Sequence, residues 1–252
     1  MTRLRLTTPV ALALMALLSG PAFAQTDVLT NGSFESGLTG WTSATQLDPG
    51  AAGSCSYNAA TASGTETSTG LPAFPPTAGT QLALSSVVST SGVQNIINCV
   101  LYQDVAIPAG ATRATFTYDI GAKGGTDGGI NTGVRFGLYS TASLPSFNGP
   151  TVAGPSPFYA TATPDTVLHS RSSTVNFNVS AIAGTTVRFA IMNGAFRTGT
   201  EVIGIDNVHL LVTVPSAPSS AFGAPTLSEW GLIALALLLG CTGFLALRQR
   251  LA

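Results

Sequence analysis

The chain has 252 residues, of which 45% are hydrophobic and only 8% charged, against about 25% charge in a typical soluble domain. Its formal net charge is -1, and Lys123 and the nine arginines are scattered, which argues against a phosphate-neutralising, nucleic-acid-binding face. The same balance rules out an acidic or basic disordered tail protein.

The first element is a leader. Arg3 and Arg5 precede an apolar run from Pro9 to Leu18, then Ser19-Gly20-Pro21 and Ala22-Phe23-Ala24. This order of positive, apolar and small-x-small segments predicts a secretory signal peptide over residues 1–24. It implies passage through the Sec translocon and cleavage by signal peptidase between Ala24 and Gln25. The apolar run is about ten residues, and a membrane span needs about 20.

The body, 25–214, is rich in Thr, Ser, Gly and Val and is broken every 8–12 residues or so by Gly, Pro or Asn. That spacing predicts an all-β sandwich of one domain. Cys55 and Cys99 are the cysteines exposed to an oxidising envelope, because Cys241 falls in the apolar tail; a disulfide between them is expected. Residues 59–76 lack an apolar period and read as a long surface loop. From Arg113 to Ile120 the pattern alternates, with Ala114, Phe116, Tyr118 and Ile120 on one face. The glycine-rich stretch 121–129 lacks the spacing of a phosphate-binding loop and reads as a hairpin or loop tip.

Further along, Phe158 and Tyr159 follow Gly154-Pro155 and are the best aromatic platform for a sugar; the competing reading is a hydrophobic plug over the sandwich end. Alternation returns at Val175, Phe177 and Val179 and at Val187, Phe189 and Ile191. In the last strand Ile203 and Ile205 share one parity, and Val208, Leu210, Val212 and Val214 share the other. A β-bulge at Asp206-Asn207 would bring both sets to one face and give Asp206 a special position.

After a Pro/Ser linker, 215–223, comes the tail, 224–252. Ala224-Pro225-Thr226-Leu227-Ser228-Glu229-Trp230-Gly231 leads into an apolar segment and a close of Arg248-Gln249-Arg250. A helix over about 231–247 would span roughly 26 Å, close to the hydrocarbon core, with Trp230 at the interface and the arginines cytoplasmic. The tail resembles the IPTL-CTERM sorting signals of Gram-negative surface proteins through Pro225, Thr226, Leu227, Trp230 and Gly231, with Ala224 where an Ile is usual. That resemblance implies handling by an exosortase-type membrane protease or transpeptidase. The ectodomain would then be periplasmic in transit, anchored in the inner membrane, and finally at the cell surface or in the extracellular matrix.

A second resemblance covers the body. Asn31-Gly32-Ser33-Phe34-Glu35, Gly37-Leu38, Gly40-Trp41, Gly79-Thr80-Gln81-Leu82-Ala83-Leu84 and Ile205-Asp206-Asn207-Val208 look like a galactose-binding-like jelly roll, the fold of many carbohydrate-binding modules. The resemblance implies that the first and last strands lie side by side. It also implies that Glu35 and Asp206 contribute to a structural calcium site; the alternative is a solvated Glu35 and an Asp206 that hydrogen-bonds its own bulge.

Catalytic tools are sparse. His169 and His209 read as half-exposed strand residues, and no compact catalytic motif occurs. Asp104, Asp119, Asp127, Asp165 and Glu201 offer carboxylates with no reason to pair any two. The sequence therefore points to a non-catalytic surface or matrix protein with a structural or adhesive role, with exopolysaccharide as an expected contact. A carbohydrate-binding module with a defined glycan is the alternative, and an envelope polysaccharide hydrolase the third reading.

Overall fold

The computed structural model describes residues 23–61, 74–90, 96–124, 132–156, 158–159, 165, 167–172, 176–195, 198–215, 235–237 and 239. Residues Phe23–Pro215 form one compact unit, and the two chain ends belong to another.

The described unit is a jelly-roll β-sandwich. Its strands are β1 (Phe23–Asp27), β2 (Thr42–Leu47), β3 (Gly53–Thr61), β4 (Gln81–Ser89), β5 (Ile97–Ala106), β6 (Arg113–Gly124), β7 (Thr132–Tyr139), β8 (Phe158–Tyr159), β9 (His169–Ser172), β10 (Phe177–Asn178), β11 (Thr186–Ala195) and β12 (Gly199–Pro215). One sheet has the order β10-β6-β12-β4-β3, with β1 beside β12 and β9 beside β6; the other is β2-β5-β11-β7-β8. The pairings are antiparallel, and β1 lies against the end of β12 from Phe23↔Pro215 to Asp27↔Leu211.

Alternation decides which side chains enter the core. Ala114, Phe116, Tyr118 and Ile120 of β6 face Val187, Phe189 and Ile191 of β11 across the sandwich. Ring contacts run through this layer from Phe34 to Trp41 (5.4 Å), Phe189 (6.1 Å), Phe116 (5.4 Å) and Phe177 (4.9 Å). Burying each ring stabilises the fold by roughly 1.5–3 kcal/mol.

The Cys55–Cys99 disulfide joins β3 of the first sheet to β5 of the second, with Cα atoms 5.8 Å apart. Beside it, Thr45 Oγ1 donates to the Cys55 carbonyl (3.0 Å). The 44-residue separation makes the crosslink worth about 4 kcal/mol in the chain-entropy model.

The β-bulge is present. The β12–β6 register shifts between Asp206 and His209, and Asn207 has φ 51°. Ile203 and Ile205 before it and Val208, Leu210 and Val212 after it are all buried in one core.

Three expectations need correction. Ala59–Thr61 continues β3 because it pairs with Gln81–Ala83, and Gly121–Gly124 continues β6 against β12, so these parts of the two expected loops are strand; 62–73 and 125–129 lie outside the described residues. Phe74 is no surface residue: it is fully buried with Leu82, Leu84, Leu168 and Val202 on the outer face of the first sheet. Its ring lies over the cross-strand pair Gly121 and Gly204, where a Cβ would come within 2.7 and 2.5 Å of it. The outer face of β11 is likewise covered, because Ala190 and Met192 are buried beneath Phe147 and Tyr139.

Candidate functional site

The first and last sequence signatures meet at the bulge. Asn31 organises the loop before β2: its Oδ1 accepts from Ser36 N–H (3.1 Å) and its Nδ2 donates to the Gly37 (2.9 Å) and Thr39 (3.0 Å) carbonyls. Trp41 Nε1 donates to the Asn31 carbonyl (3.1 Å), and Val208 N–H donates to the Gly32 carbonyl (2.9 Å).

Glu35 and Asp206 converge on one segment, Thr77–Gln81, from different sides. Glu35 Oε1 accepts from the Thr80 and Gln81 amides, both at 2.8 Å, and Oε2 accepts from Thr80 Oγ1 (3.0 Å). Those amides, Gln81 foremost, hold its carboxyl below the ordinary value. Asp206 Oδ2 accepts from the Thr77 (2.8 Å) and Ala78 (3.0 Å) amides, while Oδ1 accepts from Asn207 N–H (2.7 Å). Burial raises the Asp206 carboxyl above its ordinary value, and these hydrogen bonds work against the shift.

The carboxylate beside Asp206 is Asp119, its cross-strand partner, and not Glu35. Thr77 Oγ1 donates to Asp119 Oδ2 and also lies 3.1 Å from Asp206 Oδ2. Calcium needs six to eight oxygen ligands. Here each oxygen of Glu35 and Asp206 already faces a donor, and a cation would have to displace them. Among the described residues, no group of three or more His, Cys, Asp or Glu side chains is placed to hold a metal ion.

The outer face of the second sheet presents a different surface. Arg188 makes a two-pronged pair with Asp104 (Nε–Oδ1 2.7 Å, Nη2–Oδ2 2.9 Å) and its Nη1 donates to the Ser143 carbonyl (3.1 Å). Its guanidinium lies 4.0 Å from the centre of the Tyr102 ring. Next to it, the segment 140–150 and Tyr139 enclose a cleft of about 210 Å³. The Phe147 ring lies over Gly194, with Arg135 5.2 Å from its ring centre.

Tyr159 is buried in the sandwich core and its hydroxyl donates to Asp165, so it offers no platform; the side chain of Phe158 lies outside the described residues. His169 and His209 are half-exposed strand residues, and each has a carboxylate partner. His169 Nε2 is 3.2 Å from Asp165 Oδ1, and His209 Nδ1 is 2.6 Å from Asp27 Oδ2. The second pair joins residues 182 apart, a distance at which one sequence carries no signal. Glu201 is buried, and Asp127 lies outside the described residues.

Ala24 and Gln25, the expected cleavage site, lie in β1 opposite Val214 and Thr213. Pro225, Thr226, Leu227, Trp230 and Gly231 lie outside the described residues, as does most of the expected span 231–247. Leu235 and Leu237 are helical and exposed, and among the described residues no helix is long and apolar enough to cross a membrane.

Comparison with known proteins gives the tail a class: residues 225–250 match the IPTL-CTERM motif, which implies a secreted, C-terminally processed cell-surface protein. No curated protein matches the chain. Solved structures are similar to it at low identity. TmCBM61, solved with β-1,4-galactotriose, is 13% identical with a TM-score of 0.40, covering 73% of this chain and 97% of that one. A Stig cyclase from Fischerella sp. TAU is 16% identical with a TM-score of 0.48, over 77% and 100%. The family 11 carbohydrate-binding module of the Clostridium thermocellum cellulase Lic26A-Cel5E is 14% identical with a TM-score of 0.35, over 79% and 97%.

Proposed function

We propose that this chain is an exported, non-catalytic β-sandwich that serves a structural or adhesive role at the cell surface or in the extracellular matrix. The observation that carries the reading is the IPTL-CTERM match over 225–250 at the end of an all-β ectodomain. Sec export is followed by signal peptidase cleavage between Ala24 and Gln25, so that the mature β1 begins at Gln25. The tail then presents the protein to an exosortase-type enzyme in the inner membrane.

The test is intact-mass analysis of the mature protein from its native host. The expected product begins at Gln25 and lacks the apolar segment 231–247. A surface form that retains that segment, or a product found free in the cytosol, would refute the routing.

A second reading, saccharide binding, draws support from the second sheet. The Tyr102 ring, stacked on a guanidinium fixed by Asp104, is an apolar-and-polar pairing of the kind that sugar contact uses. Glycan-array binding lost on Tyr102→Ala, with the thermal midpoint kept, is the expected result for this reading.

A further inference from the structure

We infer that the outer face of the first sheet carries a separate cleft, centred on Arg113, that recognises an acidic, hydroxyl-rich saccharide of the uronate class. The inference rests on the reading of the sandwich as a saccharide-contacting surface protein and gives that contact a place and a charge preference.

The cleft is a product of register. Gln25 lies opposite Thr213, Thr213 opposite Arg113, and Arg113 opposite Asn178. One row of polar side chains therefore crosses four strands, β1, β12, β6 and β10. With Thr112 and Asn176 it encloses about 500 Å³, continuing into a hollow that Ser180 borders. Among the described residues, no aromatic ring and no carboxylate lines it.

Its chemistry is donor-rich. Asn176 Oδ1 accepts the Thr115 hydroxyl, and Asn178 Oδ1 accepts Ser180 N–H (2.8 Å). With those carbonyl oxygens engaged, each amide is left with its Nδ2 donors. Arg113 adds five N–H donors and no acceptor.

The other cations whose side chains are described are committed. Arg188 holds Asp104, Lys123 lies 4.0 Å from the Phe74 ring centre, and Arg135 lies against Phe147. Arg113 is exposed, and the ion pairs among the described residues do not include it. The ectodomain carries six basic and ten acidic residues, so a bare guanidinium ringed by amides and hydroxyls is a local exception.

A carboxylate satisfies the guanidinium fork with two parallel hydrogen bonds. The hydroxyls of Thr112, Thr213 and Ser180 and the amides match the hydroxyls of a sugar ring. A lipid surface fits less well, because membrane attachment gains about 1 kcal/mol per basic residue and needs a cluster of them.

The test uses the exported full-length protein in detergent, titrated calorimetrically with an oligogalacturonate, with its methyl ester, and with phosphatidylglycerol vesicles. The acid is expected to bind at least about tenfold more tightly than the ester. Arg113→Gln should abolish that preference with an unchanged thermal midpoint, and Asn178→Ala should weaken acid binding. Equal binding of acid and ester, an Arg113→Gln variant that still prefers the acid, or vesicle binding without oligogalacturonate binding would each overturn the cleft. Neutral-glycan binding untouched by Arg113→Gln, with no preference for the acid, would overturn the cleft and leave the broader saccharide reading standing. No saccharide binding of any kind would defeat both.

Discussion

The outer face of the first sheet has two halves, divided by the bulge at Asp206-Asn207, and the same two strands, β6 and β12, run through both. Before the bulge β12 presents Val202 and Gly204 outward, and Phe74 lies on the glycine pair and seals the surface. Beyond it β12 presents His209, Leu211 and Thr213, β6 presents Arg113, Thr115 and Thr117, and the surface stays polar with an open cleft. The lesson is that strand alternation sets which side chains point outward, whereas their chemistry decides whether that outward face becomes a second core or a surface for contact.

The largest expected effect tests the sealed half. Phe74→Ala removes a fully buried ring and should cost about 3–5 kcal/mol in chemical denaturation with the disulfide intact. A loss below about 1 kcal/mol would mean that this half is a covered surface and not a core. Asp206→Ala comes next. It leaves the amides of Thr77, Ala78 and Asn207 without their acceptor and should cost about 1–3 kcal/mol in the same assay. Thr117→Val on the open half should change stability by no more than about 0.5 kcal/mol, and a larger effect would blur the division drawn at the bulge.

Glu35 adds a smaller, pH-dependent contrast. Its carboxyl is held below the ordinary value of 4.5, so its contribution is complete above that value and fades as pH falls through the lowered one. The gap in thermal midpoint between the native protein and Glu35→Gln should therefore close in acid. Asp206, raised by burial above its ordinary 3.8, has the opposite sign: its titration favours folding below that value, and the benefit is lost as pH rises through the raised one. Chelation should have the smallest effect. N–H and hydroxyl donors already serve both carboxylates, so a chelator should leave the thermal midpoint within about a degree. A fall of several degrees that Glu35→Ala/Asp206→Ala abolishes would place calcium at the pair.

The inner faces of β6 and β11 and the bulge were legible in the sequence because buried side chains repeat with period two and a bulge leaves a visible slip of parity. The cysteine pair was legible by compartment. Phe74 and Phe147 were not, since a single ring that folds onto an outer face from a neighbouring segment has no period to betray it. Tyr159 misled for a related reason: Pro-bounded neighbours suggested an exposed loop, while β8 pairs with β7 and turns the ring inward. The Asp27–His209 contact and the Arg113 row depend on register between distant strands, which a lone sequence does not carry. Glu35 and Asp206 both hydrogen-bond within Thr77–Gln81, contacts that need the three-dimensional path of that segment and leave no mark in the sequence pattern.

The adjacency of β1 to the last residues of β12 has a mechanical side. The chain continues toward its sorting tail from Pro215, so a pull transmitted through an attachment at that end enters the sandwich lengthwise along its longest strand. β12 is hydrogen-bonded to β1, β4 and β6. A lengthwise load shears those ladders together and does not unzip them one bond at a time, which is the geometry that resists drag on a tethered protein.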